Sequence, residues 1–315
     1  MIEETQAAIP ADAVPRRWVE RAPQTWRPYL RLARLDRPIG AWLLFWPCVF
    51  GLALGAAEQQ RGFLTAASDW WLLVLFAAGA MVMRGAGCTY NDIVDRDIDA
   101  RVARTLGRPI PSGAVSVKQA VIFLAAQCAI GLLILLCLNP FSIALGAASL
   151  MLIAVYPFMK RITWWPQAWL GLTFNWGALL GFAAQTARIT TSALLLYAAC
   201  FFWTLGYDTI YALQDIEDDA LVGVKSTARL FGARAPFWIL IFYFLFVILI
   251  GLAVALAFKP WFVLLLLLPL LAHLVWQVRT LKPGDPQSSL RLFRANRDAG
   301  TLAGAALIAA SWIFA

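Results

Sequence analysis

Asn91-Asp92-Ile-Val-Asp95-Arg-Asp97-Ile-Asp99 and Asp208-Thr-Ile-Tyr211-Ala-Leu-Gln-Asp215-Ile-Glu-Asp218-Asp219 are the two stretches at which this chain stops being hydrophobic. Each holds an Asp-x-x-x-Asp step, Asp95/Asp99 and Asp215/Asp219, and 120 residues separate the first step from the second. Carboxylates four apart on a helix leave the same face about one turn from each other. Outside these stretches the chain reads as a series of long apolar runs. Of its 315 residues 61% are hydrophobic and 14% charged, and 15 Trp and 20 Phe are too many for one water-soluble core to hide. The class is therefore all-α: backbone groups in lipid must be satisfied within each segment, so apolar runs of this length are membrane helices.

Nine spans are expected, at roughly 39–57, 70–88, 118–138, 141–158, 165–184, 192–214, 236–257, 261–280 and 299–315, bundled around a central cavity with a polar mouth. Trp70, Trp71, Trp164, Trp165 and Trp261 sit where interface anchors belong. With nine spans, Arg61, Arg188 and Lys259 are the only basic residues on one side, out of 26 Lys and Arg. That asymmetry predicts a cytoplasmic N-terminus and an external C-terminus. Both acidic stretches then end spans 2 and 6 on the cytoplasmic side, where they are expected to meet. The expected location is a bacterial inner membrane.

Two domains of unequal kind are expected. Residues 1–38 form a cytoplasmic segment whose part from Arg16 to Arg37 reads as an interfacial amphipathic helix, and residues 39–315 form a single transmembrane domain. The N-terminal segment does not read as a cleavable signal, and Glu3, Glu4 and Asp12 argue against a transit peptide. The net charge of +8 is assigned to sidedness and to anionic lipid, not to nucleic acid, because no basic motif is interleaved with aromatics. Cys48, Cys88, Cys128, Cys137 and Cys200 form no CxxC pair and read as small apolar packers. A lone His273 excludes a histidine-built metal site.

Ionisable groups at membrane depth are costly, so a functional site is their default explanation. Four converging carboxylates repel one another unless cations sit between them. Mg²⁺ suits such a set, being oxygen-seeking and usually held by few carboxylates plus substrate phosphates. The expected metal ligands are Asn91, Asp95, Asp99, Asp215 and Asp219. Asp92, Asp97, Glu217 and Asp218 point elsewhere on a helix, toward water or nearby arginines. A bound diphosphate needs basic partners. Arg104, Arg108, Lys160 with Tyr156 beside it, and Lys225 are the candidates, and Arg161 and Arg229 lie close by in sequence. Tyr211, four before Asp215, falls on the stripe of the second pair.

These motifs resemble those of the UbiA-type intramembrane prenyltransferases. The likeness is carried by Arg34-Leu-Asp36-Arg37-Pro38-Ile39-Gly40, by Arg84-Gly-Ala-Gly87-Cys-Thr-Tyr-Asn91-Asp92 through Asp99, and by Arg104-Thr105 with Arg108-Pro109 and Ser112-Gly113. Tyr156-Pro157-Phe-Met-Lys160-Arg161 and Tyr207-Asp208-Thr209 through Gly223-Val-Lys225-Ser226-Thr227-Ala228 complete it. The resemblance implies transfer of a polyprenyl group from its diphosphate to 4-hydroxybenzoate, at the ring carbon ortho to the hydroxyl, as a membrane step of ubiquinone biosynthesis. It implies Asp-held Mg²⁺, an acceptor carboxylate met by Arg34 or Arg161 with Tyr211 near the ring, and an isoprenoid tail lying among helices in the lipid bilayer. Tyr90, Phe174, Trp176, Trp203 and Tyr207 are candidate shields for the allylic cation. Asp36 reads as a cap or ion-pair partner at the start of span 1. Other acceptors within the family (a naphthoate, homogentisate or haem) remain the nearest alternative. A cation-coupled transporter is the other, and it predicts acids at the bilayer midplane instead of at helix ends.

Overall fold

The computed structural model describes residues 18–101, 105–221, 223–258 and 261–313, and every regular element among them is helical. Seven helical stretches are long and apolar enough to cross a membrane: Ile39–Glu58, Ala67–Asp99, Val117–Leu136, Pro140–Ile162, Thr191–Ala212, Thr227–Ala257 and Phe262–Thr280. The expected count of nine is not reached among the described residues. The expected span 165–184 is two helices, Pro166–Phe174 and Trp176–Thr186, separated at Asn175. The expected last span lies in the longer helix Pro286–Ile313, whose first half carries Arg291, Arg294, Arg297 and Asp298. We number the helices α1 (Arg27–Leu32), α2 (Ile39–Glu58), α3 (Ala67–Asp99), α4 (Val117–Leu136), α5 (Pro140–Ile162), α6 (Pro166–Phe174) and α7 (Trp176–Thr186). They continue as α8 (Thr191–Ala212), α9 (Ile216–Leu221), α10 (Thr227–Phe231), α11 (Ala235–Ala257), α12 (Leu268–Thr280) and α13 (Pro286–Ile313).

The amphipathic stretch before the first span is not one helix. A 3₁₀ turn at Val19–Arg21 stops at Ala22, which is extended (φ −67°, ψ 155°) because it precedes Pro23. Helix α1 then starts afresh with Pro28 in its first turn, where a missing N–H costs nothing. It ends in a Schellman motif: Arg34 N–H donates to Arg31 O (3.0 Å) and Leu35 N–H to Leu30 O (3.0 Å). Arg34 occupies the left-handed position of that motif, φ 56°, which glycine normally fills.

The chain divides into two compact units: the described residues up to Ala41 with Gly79–Leu133, and Trp42–Ala78 with the chain from Ile134 onward. In the first unit Leu32, Ile110, Val115 and Ala120 form a buried cluster, packed by Tyr29, Ile93 and Phe123. Tyr29 and Phe123 meet edge-on at 5.3 Å. Helix α3 sets the geometry of the acidic end. Its 33 residues span about 50 Å at 1.5 Å each, against a hydrocarbon core of about 30 Å. Trp70 and Trp71, both exposed, stand at its start as interface anchors. Asn91–Asp99 are therefore the turns that overshoot lipid at the far end.

The second unit is built around α8, which packs most extensively on α11 and also meets α6, α7 and α13. Trp203 is fully buried, lies parallel to Phe246 at 5.5 Å and donates Nε1–H to Asn296 Oδ1 at 2.8 Å. Trp203 is thus core packing rather than a cation shield. Trp176 is likewise committed, donating to the Leu145 carbonyl and meeting Tyr197 edge-on. Helices α2 and α7 approach backbone to backbone: a Cβ on Gly51 would strike the Ala178 carbonyl oxygen and one on Gly181 the Cys48 carbonyl oxygen. Gly51/Gly55 and Gly177/Gly181 are the small-xxx-small pattern that lets membrane helices come this close. Large apolar side chains such as Met151, Phe237, Phe244 and Leu256 point outward, as lipid-facing positions do. Cys48, Cys88 and Cys200 are buried, whereas Cys128 and Cys137 are exposed and are not packers. At the end of this unit that carries Arg61, Asp69 is fully buried and binds Arg61 through both oxygens (2.6 and 2.8 Å), with Gln185 Nε2 at 2.8 Å.

Candidate functional site

The first acidic stretch occupies the last turns of α3, so its i, i+4 geometry is real. Asp95 is fully buried and Asp99 nearly so, on one helical face, with Asn91 one turn earlier and half-buried. The remaining acids separate by partner. Asp97 is exposed and pairs with Arg96 at 3.6 Å. Asp36 pairs with Arg37 at 3.3 Å, as its position at the entry to α2 suggests.

Asp92 is the residue that sequence reasoning undervalued. It is 1% exposed and accepts hydrogen bonds from Arg34 Nη2 at both oxygens, 2.7 and 2.8 Å. Arg108 Nη1 stands 3.3 Å from the same carboxylate and donates to Asp99 Oδ2 at 2.6 Å. Burial works against the charge on Arg34, but the Asp92 carboxylate, with Asp36 adding to it, raises the guanidinium above its ordinary pKa. Arg34 was expected to meet the acceptor carboxylate. In the structure its Nη2 is bonded to Asp92 and its Nη1 to the Arg31 carbonyl. Thr105 Oγ1 donates to the Asp99 carbonyl at 2.7 Å and fastens the following loop to the helix end. Arg104, expected to bind diphosphate, lies outside the described residues.

The second acidic stretch does not continue one helix. Helix α8 ends at Ala212, and Gln214 and Asp215 donate their N–H groups to Tyr211 O and Ala212 O in a tight turn (3.3 and 3.2 Å) before α9. Tyr211 and Asp215 are therefore not on one helical stripe, and Tyr211 packs its ring 4.5 Å from that of Phe293. The Asp215–Asp219 step itself is helical, closed by Asp219 N–H to Asp215 O at 2.8 Å. The side chains of Glu217 and Asp218 fall outside the described set. Beyond Gly223, Lys225 is fixed by its backbone N–H to Lys160 O (3.0 Å) and its Nζ to Ile162 O (3.1 Å). This brings Lys160 and Lys225, two candidate diphosphate binders, to one place. Arg161, next along α5, is exposed over the Phe158 ring at 6.0 Å, and Tyr156 is half-buried one turn earlier. Thr209 and Thr227 share a buried hydrogen bond of 2.7 Å, and Gln167 Oε1 accepts from Thr227 N–H at 3.0 Å. These hydroxyls were visible in the motif but not read as the staples they are.

The acidic stretches lie in different units. Their donors fit a hard divalent cation: two carboxylates per end, with an amide oxygen added at the first. Among the described residues no group of three or more His, Cys, Asp or Glu side chains is placed to hold a metal ion.

Residues 44–311 match the model of the UbiA prenyltransferase family. A relative in Bos taurus, 4-hydroxybenzoate polyprenyltransferase, mitochondrial, is 47% identical over 90% of this chain and 75% of its own. Proteins of the same name in Homo sapiens, Aedes aegypti and Arabidopsis thaliana match over 61%, 47% and 54% of their length. Among solved structures, the apo form of a UbiA homolog from Aeropyrum pernix K1 superposes with a TM-score of 0.68 at 27% identity, covering 85% of this chain and 97% of that one. A UbiA homolog from Archaeoglobus fulgidus bound to GPP and Mg²⁺ gives 0.65 at 21% identity, over 90% and 99%, a likeness of fold. The names correct one expectation. The relatives are mitochondrial, so the bacterial inner membrane is withdrawn and with it the label cytoplasmic for the basic side. Loop charge reports sidedness and carries no mark of which membrane is crossed. The multi-pass architecture is unaffected.

Proposed function

This chain belongs to the UbiA prenyltransferase family, and from that premise we propose that it transfers a polyprenyl group from its diphosphate to 4-hydroxybenzoate, ortho to the hydroxyl. The product is a precursor of ubiquinone, made in a membrane of the mitochondrial kind its relatives' names specify. The observation that carries the reading is the Asp95–Asp99 step: two buried carboxylates on one helix face just beyond the lipid boundary, with Arg108 2.6 Å from the second.

Asn91, Asp95 and Asp99 at one helix end, and Asp215 and Asp219 at the other, would hold divalent cations. Such an ion supplies Lewis-acid charge to the departing diphosphate. The chain's own residues do the rest. Arg108 at the first end, and Lys160 and Lys225 at the second, bind phosphate oxygens, and Tyr156 lines the approach to Lys160. Arg161, exposed beside Lys160, meets the acceptor carboxylate, and Tyr211 borders the ring. The overshoot of α3 keeps the charged head group at the polar mouth while the tail lies at lipid depth. Apolar helices around it exclude water, which would otherwise capture the allylic cation. Loss of the ring proton after attack restores aromaticity.

The test is a membrane assay with radiolabelled 4-hydroxybenzoate and geranyl diphosphate, with and without EDTA. Labelled lipid should form, vanish with chelator and return with added Mg²⁺. Undiminished product in EDTA would refute the metal requirement, and transfer only to a naphthoate or homogentisate would refute the acceptor.

A further inference from the structure

The proposed chemistry does not by itself explain what holds Arg108 before substrate arrives. Arg34, Asp92, Arg108 and Asp99 form a chain of alternating charge with contacts of 2.7, 3.3 and 2.6 Å. Its two halves differ. The Arg34 and Asp92 side chains are 9% and 1% exposed, whereas Arg108 is 30% exposed. The inner pair is fixed in the core of its unit and the outer guanidinium has room to move. Its backbone belongs to a hydrogen-bonded loop tied to the same helix end. Arg108 N–H donates to Thr105 O at 2.9 Å, Ser112 N–H returns to Arg108 O at 3.0 Å, and Thr105 Oγ1 holds the Asp99 carbonyl.

Asp99 Oδ2 cannot give the same lone pairs to a guanidinium and to a metal ion at full strength. A diphosphate, in turn, offers an arginine a stronger, two-pronged partner than one carboxylate oxygen. We propose that Arg108 is a charge-exchange latch. It neutralises Asp99 while the site is empty and passes to the diphosphate when metal and diphosphate bind, with Asp92 holding the guanidinium within reach of both. This rests on the reading of the α3 end as a metal–diphosphate site. The latch opposes bare metal and rewards metal with diphosphate, so each ligand raises the affinity for the other by the same factor.

The test uses the full chain in lipid nanodiscs, with Mn²⁺ binding read from the electron paramagnetic resonance signal of the free ion, without and with inorganic pyrophosphate. Arg108→Gln should bind Mn²⁺ alone about fivefold more tightly than wild type, the range expected for losing one part-exposed ion pair. It should bind Mn²⁺ with pyrophosphate about tenfold more weakly. A variant that binds Mn²⁺ alone no better than wild type overturns the latch while leaving the site reading intact. Wild type that gains no Mn²⁺ affinity from pyrophosphate overturns the site reading itself. The unmutated protein supplies a second measurement, hydrogen exchange at the Arg108, Ser112, Gly113 and Val115 amides. Exchange should quicken with Mn²⁺ alone and fall below its starting rate once pyrophosphate is added; no change at either step overturns the latch.

Discussion

Two helices flank the acidic ends and stop in the same way with opposite residues. Helix α9 closes with Gly223 N–H to Ala220 O and Val224 N–H to Asp219 O, placing Gly223 at φ 73°. Helix α1 closes with the same pair of bonds and places Arg34 at φ 56°. Glycine takes the left-handed conformation freely, whereas a side chain there costs about 1–2 kcal/mol. Strain of this kind persists only where the surroundings over-determine it, and at Arg34 the surrounding that does so is the buried Asp92. The comparison extends to the acids. At the first end arginines meet carboxylates, Arg34 on Asp92 and Arg108 on Asp99. At the second, Arg229 donates to the main-chain carbonyls of Asp219 (3.3 Å) and Val224 and covers the Trp164 ring at 5.3 Å. At the first end arginine meets carboxylate, and at the second Arg229 reaches the main chain.

The largest expected effect tests what the ends share. Asp95→Ala and Asp215→Ala should each lower transfer to 4-hydroxybenzoate by about a thousandfold, the upper range for removing one preorganised electrostatic group, with protein still recovered in the membrane fraction. Turnover within tenfold of wild type in either variant would mean that the two ends do not share a role.

The next effect tests what they do not share. Asp92→Ala leaves the Arg34 guanidinium buried without its partner and should destabilise the protein by about 3–5 kcal/mol. Asp97→Ala, at a side chain 76% exposed, should shift stability by no more than about 0.5 kcal/mol. Thermal unfolding of the two variants in one detergent reads the difference directly. Equal stabilities would show that the buried pair does not anchor the first end.

The contrast between ends also explains how far the chain could be read from its letters. Apolar runs fix the helical membrane class, and four-residue spacing places Asp95 and Asp99 on one face, since both are local properties of a helix. The Tyr211–Asp215 step escaped that logic because α8 ends three residues before Asp215, at a turn that no period predicts. Asp92 escaped because its value lies 58 residues away at Arg34, and a one-dimensional stripe carries no such partner. Asn175, which divides α6 from α7, is a neutral residue within an apolar run. Its Nδ2 donates to Gly171 O and Thr204 Oγ1 at 2.8 and 2.7 Å, so hydropathy alone joins what the structure separates. Loop charge carried no mark of which membrane is crossed.

Exchanging the capping residues separates backbone strain from charge. Arg34→Gly relieves about 1 kcal/mol of left-handed strain but removes a buried ion pair worth about 3–5 kcal/mol on disruption. A net loss of about 2–4 kcal/mol is expected, smaller than for Asp92→Ala. A stabilised Arg34→Gly variant would show that the backbone, and not the pair, dictates that helix end.

The smallest effect belongs to the second end. Gly223→Ala places a Cβ where nothing lies within 4 Å, so crowding contributes nothing and only the φ of 73° opposes the change. A loss of about 1 kcal/mol is expected, visible as a small drop in unfolding midpoint with the Asp215–Asp219 step intact. The same substitution should leave the first end untouched, because Gly223 and Arg34 share a motif and no partner. A Gly223→Ala variant that lost more stability than Arg34→Gly would invert the comparison, making the glycine-closed end the more tightly determined of the two.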